Sequence, residues 1–356
     1  MTRLDSTARV LVTGGAGFIG SALCRMLIEE HDATVVNCDK LTYAANLESL
    51  ASIAGSSRYT FERGDICDRT ALDGLFARYR PTAVLHAAAE THVDRSIDDP
   101  DQFVRSNLIG TYQLLEATRH HLAGLDADAR ARFRFVHIST DEVYGSLGAE
   151  GQFYEHTPYD PSSPYSATKA GSDHLVRAWA RTYCMPLIVS NCSNNYGPYQ
   201  FPEKLIPLAT INALCGLRIP VYGSGANVRD WLHVNDHARG LLTLLARGRP
   251  GESYNFGGES ERTNLQVVEA VCDILDDTNP AERPRRELIS FVEDRPAHDA
   301  RYAMNTAKVR DELGWSPSRT FEEGLRDTVA WYVAHREWWK PIRERVYAGM
   351  RLGLAR

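Results

Sequence analysis

Short apolar runs and longer stretches of helical periodicity alternate along the first half of the chain. Segments 9–13, 33–38, 59–63, 82–85, 134–138 and 187–190 are rich in Val, Ile, Leu and Phe and read as strands. Between them, 18–30, 69–79, 100–121 and 164–183 carry apolar positions at helical spacing. This alternation predicts an α/β chain with a parallel sheet covered by helices on both faces. Right-handed crossovers make it a doubly wound, Rossmann-type sheet whose ligands lie beyond the carboxyl ends of the strands. After about residue 196 the pattern changes. Pro198, Pro202, Pro207 and the turn Tyr222-Gly-Ser-Gly225 interrupt it, and helical periodicity returns around 265–276 and 321–335. The expected organisation is one domain of residues 1–195 plus about 232–256, interleaved with a smaller α/β domain of about 196–231 plus 257–356.

Length and charge fit that picture and narrow the function. A chain of 356 residues suits two domains. Lys+Arg 40 against Asp+Glu 46 leaves a net charge of −6, which argues against a nucleic acid polymer as partner. No uncharged apolar stretch of about 20 residues exists, and residues 1–10 lack the apolar centre of a signal peptide, so no membrane association is expected. The seven cysteines are odd in number and form no C-x-x-C pair, as expected of free thiols in the cytoplasm.

The sharpest local signal follows the first strand. Thr13-Gly-Gly-Ala-Gly-Phe-Ile-Gly20 opens the first helix, where Gly14, Gly17 and Gly20 permit a tight turn, close approach of a pyrophosphate and helix–strand contact. The helix amino terminus supplies amide donors. Asp39 ends the second strand, where a carboxylate accepts both ribose hydroxyls and repels a 2′-phosphate, so NAD+ is the expected cofactor of the first domain. Asp65-Ile66 and Ala87-Ala88-Ala89 follow the third and fourth strands, where adenine and the nicotinamide ribose should pass.

Two further patterns carry chemistry. Tyr165 and Lys169 form Y-x-x-x-K at the start of a long helix, so their spacing stacks them on one face. A phenol with a pKa near 10 needs a downward shift of about three units, about 4 kcal/mol, to act as a base near neutrality. An adjacent ammonium and an oxidised nicotinamide favour the phenolate. Asp141 and Glu142 sit in Ser139-Thr-Asp-Glu-Val-Tyr-Gly145, at a strand end where both carboxylates could turn into the crevice and titrate apart as acid and base. From spacing alone, solvated turn acids fit equally well. His233 and His237 have the spacing of H-E-x-x-H, but Val234 replaces the glutamate, so no metal is expected. The cluster Trp331-Tyr332 with Trp338-Trp339 is expected to pack in a core or interface.

Together these motifs resemble the dTDP-glucose 4,6-dehydratase family of extended short-chain dehydrogenase/reductases. The resemblance spans nearly the whole chain. It includes Glu90-Thr-His-Val-Asp-Arg-Ser96, Asn191-Cys-Ser-Asn-Asn-Tyr-Gly-Pro-Tyr199, Pro202-Glu-Lys-Leu-Ile-Pro207, Asn227-Val-Arg-Asp-Trp231 and Glu293-Asp-Arg-Pro296. It implies oxidation at C4 of dTDP-glucose, loss of water across C5 and C6, and reduction at C6, with one NAD+ regenerated. Tyr165 and Thr140 would act on the 4-hydroxyl, Glu142 on the C5 proton and Asp141 on the departing 6-hydroxyl. Cofactor contacts would extend to Phe18, Ile19, Lys40, Leu41, Thr42, Ser106, Asn195, Tyr165 and Lys169. Substrate contacts would be Thr91, Thr140, Asn194, Lys204, Leu205, Pro220, Val221, Tyr222, Arg229, Asn264, Asp294, Arg295, Pro296, Ala297 and His298. Arg229 and Lys204 suit a diphosphate, and Ala297 stands where the family usually has glycine. A homodimer through the helices near 100–121 and 164–183 is implied too. UDP-glucose dehydration, 4-epimerisation or decarboxylation, and a non-catalytic NAD-sensing protein remain the competing readings.

Overall fold

The computed structural model describes residues 4–347 and 349. Parts of the expected domains that fall on residues 1–3, 348 and 350–356 lie outside the described residues.

Seven strands form a wholly parallel sheet. They are β1 (Arg9–Thr13), β2 (Thr34–Asp39), β3 (Tyr59–Arg63), β4 (Ala83–His86), β5 (Arg134–Thr140), β6 (Leu187–Cys192) and, far along the chain, β10 (Ser253–Phe256). Their spatial order is β10-β6-β5-β4-β1-β2-β3. Parallel strands are buried on both faces, which is why they read as unbroken apolar runs. Successive side chains feed opposite cores: Val10, Val35, Leu85, Val136 and Ile188 enter one, Leu11, Val36, Val84, Phe135 and Val189 the other. The order reverses between β1 and β4, opening a crevice at their carboxyl ends.

Helices α1 (Phe18–Glu29) and α2 (Arg69–Tyr79) connect the first strands as their periodicity predicts. After β4 come α3 (Val93–Asp98) and α4 (Pro100–Phe103). The single helix expected over 100–121 is instead broken. A π-helical stretch, Val104–Gly110, separates α4 from α5 (Thr111–Ala123). The extra residue per turn aims Ser106 and Asn107 inward, and Gly110 lies so close to Ile66 that a Cβ would approach its Cδ1 to 2.6 Å. The short helix α6 (Ala127–Arg132) precedes β5. Helix α7 (Pro164–Tyr183) starts where predicted because Ser163 and Ser166 form a reciprocal capping box and Pro164 occupies the first turn.

A second group of elements surrounds its own core. Strand β7 (Asn194–Tyr196) pairs with β9 (Val228–His233), which also pairs with β11 (Glu261–Thr263). Strand β8 (Ile219–Tyr222) pairs with β12 (Ile289–Val292). Helices α8 (Leu205–Leu214), α10 (Asn264–Thr278) and α12 (Phe321–Ala334) enclose Ile206, Val267, Val271, Leu275, Phe321 and Val329. Helix α9 (Val234–Arg247) instead packs on α1 and β5, and α11 (Ala307–Leu313) on β10. The carboxyl-terminal aromatics are core residues. Tyr332, with Trp338 and Trp339 of α13 (Arg336–Arg345), packs on Phe201, and the Trp338 indole donates to Ser49 at 3.2 Å.

Candidate active site

The crevice is an open cleft of about 290 Å³, at the low end of the roughly 300–1,000 Å³ typical of a small-ligand site. Its floor is the glycine loop. Gly14 has φ +72°, and a Cβ there would come within 2.6 Å of the Ala88 backbone, so only glycine fits this approach of β1 to β4. No side chain caps α1 at Gly17, which leaves the first-turn amides facing the cleft. Asp39, nearly buried at the end of β2, accepts from the amides of Ala16 (3.0 Å) and Leu41 (2.8 Å). Burial raises its pKa against those two bonds.

The other expected cofactor positions gather there. Phe18, Ile19, Gly20, Lys40, Thr42, Ile66, Ala87–Ala89, Ser106 and Asn195 line the cleft with Gly14, Gly17 and Asp39. Leu41 and Asp65 are not on its lining, but each is tied to a residue that is. Leu41 donates to Asp39, and Asp65 lies 3.7 Å from Lys40, whose ammonium donates to Ser106 at 2.7 Å.

The second wall carries the titratable groups. Strand β5 ends at Thr140, and the chain turns into a 3-10 helix, Asp141–Tyr144, capped by the Thr140 hydroxyl accepting from the Glu142 amide. That turn brings both carboxylates into the cleft. Thr140 also donates to Asp141 at 3.1 Å. Tyr165 and Lys169 project from α7 into the same wall, and the Lys169 ammonium donates to the Ile138 carbonyl at 2.8 Å.

Electrostatics separates the two acids. Burial and the charge of Glu142 push Asp141 well above the carboxylate range. Burial also raises Glu142, but Arg295, Arg229 and Lys204 pull it back. Asp141 is therefore the group held protonated, and Glu142 the one that ionises first. Burial and Glu142 hold the Tyr165 phenol well above its ordinary value, while burial lowers Lys169.

Of the expected substrate contacts, Thr91, Thr140, Asn194 and Lys204 line the cleft, and the rest do not. Tyr222, Asp294, Arg295 and His298 form a separate group around Asp94 of α3. The Tyr222 hydroxyl donates to Asp94 (2.9 Å), Arg295 lies 3.5 Å from it, and His298 pairs with Asp294 at 2.5 Å. Pro296 and Ala297 belong to the same loop, and Ala297 has φ +52°, the left-handed conformation that explains glycine in the family motif. Arg229 stacks on Tyr302 at 4.2 Å and gives its fork to the carbonyls of Val228 and Asp299. Pro220 is half-buried, Val221 points into the second core, Leu205 packs beside that core, and Asn264 starts α10.

Sequence reasoning missed Glu90, Gln200, Phe201 and Glu203, all on the lining. Glu203 is almost fully buried, accepts from the Tyr43 hydroxyl at 3.1 Å and lies 3.6 Å from Lys204. Its signal was available in the motif Pro202-Glu-Lys.

Comparison with known proteins agrees with this geometry. Residues 11–328 match the family model described as GDP-mannose 4,6 dehydratase. The chain is 59% identical to the dTDP-glucose 4,6-dehydratase of Neisseria gonorrhoeae over 338 residues, covering 93% of this chain and 97% of that one. It is 55% identical to a probable dTDP-glucose 4,6-dehydratase of Sinorhizobium fredii over 97% of this chain and 99% of its relative. The chain belongs to the dTDP-glucose 4,6-dehydratase family. Among solved structures, DesIV of Streptomyces venezuelae, a family member crystallised with NAD and TYD bound, superposes with a TM-score of 0.87 at 44% identity, covering 94% and 99% of the two chains.

Proposed function

We propose that the protein is a dTDP-glucose 4,6-dehydratase, converting dTDP-glucose to dTDP-4-keto-6-deoxyglucose and water, in deoxysugar biosynthesis of the dTDP-rhamnose type. The observation that carries this reading is the convergence of Thr140, Asp141, Glu142, Tyr165 and Lys169 on one cleft floored by a dinucleotide loop. The chain suits NAD+. The Gly14 turn leaves room for a pyrophosphate, the open amides of α1 face it, and Asp39 meets ribose hydroxyls where a 2′-phosphate would be repelled. NAD+, when bound, supplies the hydride acceptor for C4 and the donor for C6.

The residues then divide the proton work. Tyr165 takes the 4-hydroxyl proton on its phenol oxygen, Lys169 favours the phenolate, and Thr140 bonds the same hydroxyl. The 4-ketone acidifies C5. Glu142 removes that proton, and Asp141, held protonated, gives its own to the 6-hydroxyl, which leaves as water. Glu142 returns its proton to C5 when C6 is reduced. Lys204 and Arg229, two of the cations that pull against the burial of Glu142, meet the diphosphate. Purified protein incubated with dTDP-glucose is expected to yield a 4-keto product detected by its alkaline absorbance. Faster turnover of UDP-glucose would reassign the nucleobase, and no product with either would overturn the reading.

The assembly we propose is a homodimer through the segment 100–123 and α7, where Val104, Ile109, Tyr112 and Tyr183 leave large apolar side chains exposed. Light scattering at micromolar concentration is expected to give twice the chain mass, and a monomer mass would overturn it. Two interleaved domains, with α9 and β10 in the cofactor-binding one, are supported by the packing of α9 on α1 and β5. Seven unpaired thiols support a cytoplasmic location, and no helix among the described residues is long and apolar enough to cross a membrane.

A further inference from the structure

Behind the Tyr165/Lys169 pair lies a buried carboxylate that the proposed reaction does not use. Asp173 sits one turn beyond Lys169 on α7 and is fully buried. Groups from three elements hold it. Ser139 Oγ donates at 2.9 Å and His137 Nε2 lies 3.1 Å away, both on β5. Asn191 Nδ2 of β6 donates at 3.3 Å, and the Tyr159 hydroxyl, before α7, at 2.7 Å. Tyr159 in turn accepts from Arg177 at 2.7 Å. Burial works against the charge of Asp173, but the hydrogen bond of His137, the pull of Lys169 and the Tyr159 bond outweigh it and leave its pKa below the usual value.

Lys169 is almost as deeply buried, and such an ammonium is costly without a counter-charge. The other groups near it do not provide one. Burial keeps His137 neutral, with its pKa down at about 4, and pushes the Cys192 thiol of β6 up. Asp141 and Glu142 face the cleft and are committed to the elimination. We propose that Asp173 is a positioning residue: its carboxylate, fixed by His137, Ser139, Tyr159 and Asn191, keeps Lys169 an ammonium beside Tyr165. The proposal deepens the activity assigned above and rests on it.

Spacing decides the sign of the effect. Asp173 is eight residues from Tyr165, about 12 Å along the helix, whereas Lys169 is about 6 Å along the axis from each. Loss of the carboxylate therefore acts on Tyr165 mainly through Lys169. The ammonium gives up its proton at lower pH, and Tyr165 ionises at higher pH.

The test is Asp173→Asn in the full chain. The acid limb of kcat/KM for dTDP-glucose is expected to move up by about one pH unit. Activity falls about tenfold near neutrality and recovers at higher pH, with kcat changed more than KM. Ser172→Ala removes a hydroxyl bonded to His137 in the same layer without changing charge, and is expected to leave the limb in place. Independently of activity, 13C-lysine NMR of ligand-free protein, assigned with Lys169→Met, should show the Lys169 midpoint lower by about one unit in Asp173→Asn. If that variant does not fold, the unmutated protein still decides: Lys169 must stay charged through neutral pH, and a midpoint below neutrality overturns the proposal. A rate loss equal at every pH, or an unmoved lysine midpoint, overturns it too. Absence of product from the unmutated protein overturns the assigned activity instead, and the lysine titration then still judges Asp173.

Discussion

Glu142→Gln is expected to lower turnover by about 10²–10⁴-fold and to leave bound NADH visible by its near-ultraviolet absorbance. The amide keeps the size and hydrogen bonding of the side chain but cannot take a proton. Oxidation at C4 depends on Tyr165 and proceeds, so the reaction stops at the ketone. The three cations that act on Glu142 make it the acid that ionises first, whereas Asp141 beside it is pushed well above the carboxylate range. Single-turnover absorbance with dTDP-glucose measures this directly. Normal turnover without the NADH signal would move the base role elsewhere, first to Asp141.

Tyr165→Phe should cost a similar factor of about 10²–10⁴, but with the opposite spectroscopic outcome, because the first proton transfer is lost and NADH never forms. The ring position is secure without the hydroxyl. It packs edge-on to Phe103 at 6.4 Å, and the residue's backbone is held by the amide bond to Ser96 and by the Thr168 hydroxyl on its carbonyl, neither of which involves the phenol. Burial and Glu142 hold this phenol above its ordinary pKa in the ligand-free protein, so activity should rise with pH on the acid side until the phenolate is available. Accumulation of NADH by Tyr165→Phe would contradict the assignment.

Most of the central sheet was legible because its inner strands are buried on both sides and rich in apolar residues, whereas the short edge strand β10, carrying Ser253 and Asn255, was not read as a strand. Where legibility failed, a buried polar group intervened. Strands β5 and β6 run two residues past their predicted ends, through Ser139-Thr140 and Asn191-Cys192, where Asp173 and the Thr140 carbonyl satisfy the Ser139 and Asn191 side chains internally. Helix α8 is apolar on every side, so it offers no periodicity to read. The break at Val104–Gly110, whose last residue packs against Ile66, a neighbour distant in sequence, leaves no mark on the local pattern. The site divides the same way. The glycine loop, Thr140-Asp-Glu142 and Tyr165/Lys169 are local motifs on single turns. Asp173, Glu203 and the stack of Arg229 on Tyr302 acquire meaning only when distant segments meet.

The late return of the chain to its first lobe bears on how the protein is made. The sheet gains its edge strand β10 only after residue 256 has been synthesised, and Trp338 reaches Ser49 across 289 positions of sequence. Until then the growing chain exposes the open edge of β6, a template for pairing with other nascent chains. Loop closure over such separations is slow and comes late. The cofactor cleft, walled in part by Phe201 against Tyr332 and Trp338, is therefore a post-translational product: a nascent chain on the ribosome has the glycine loop but not yet the pocket.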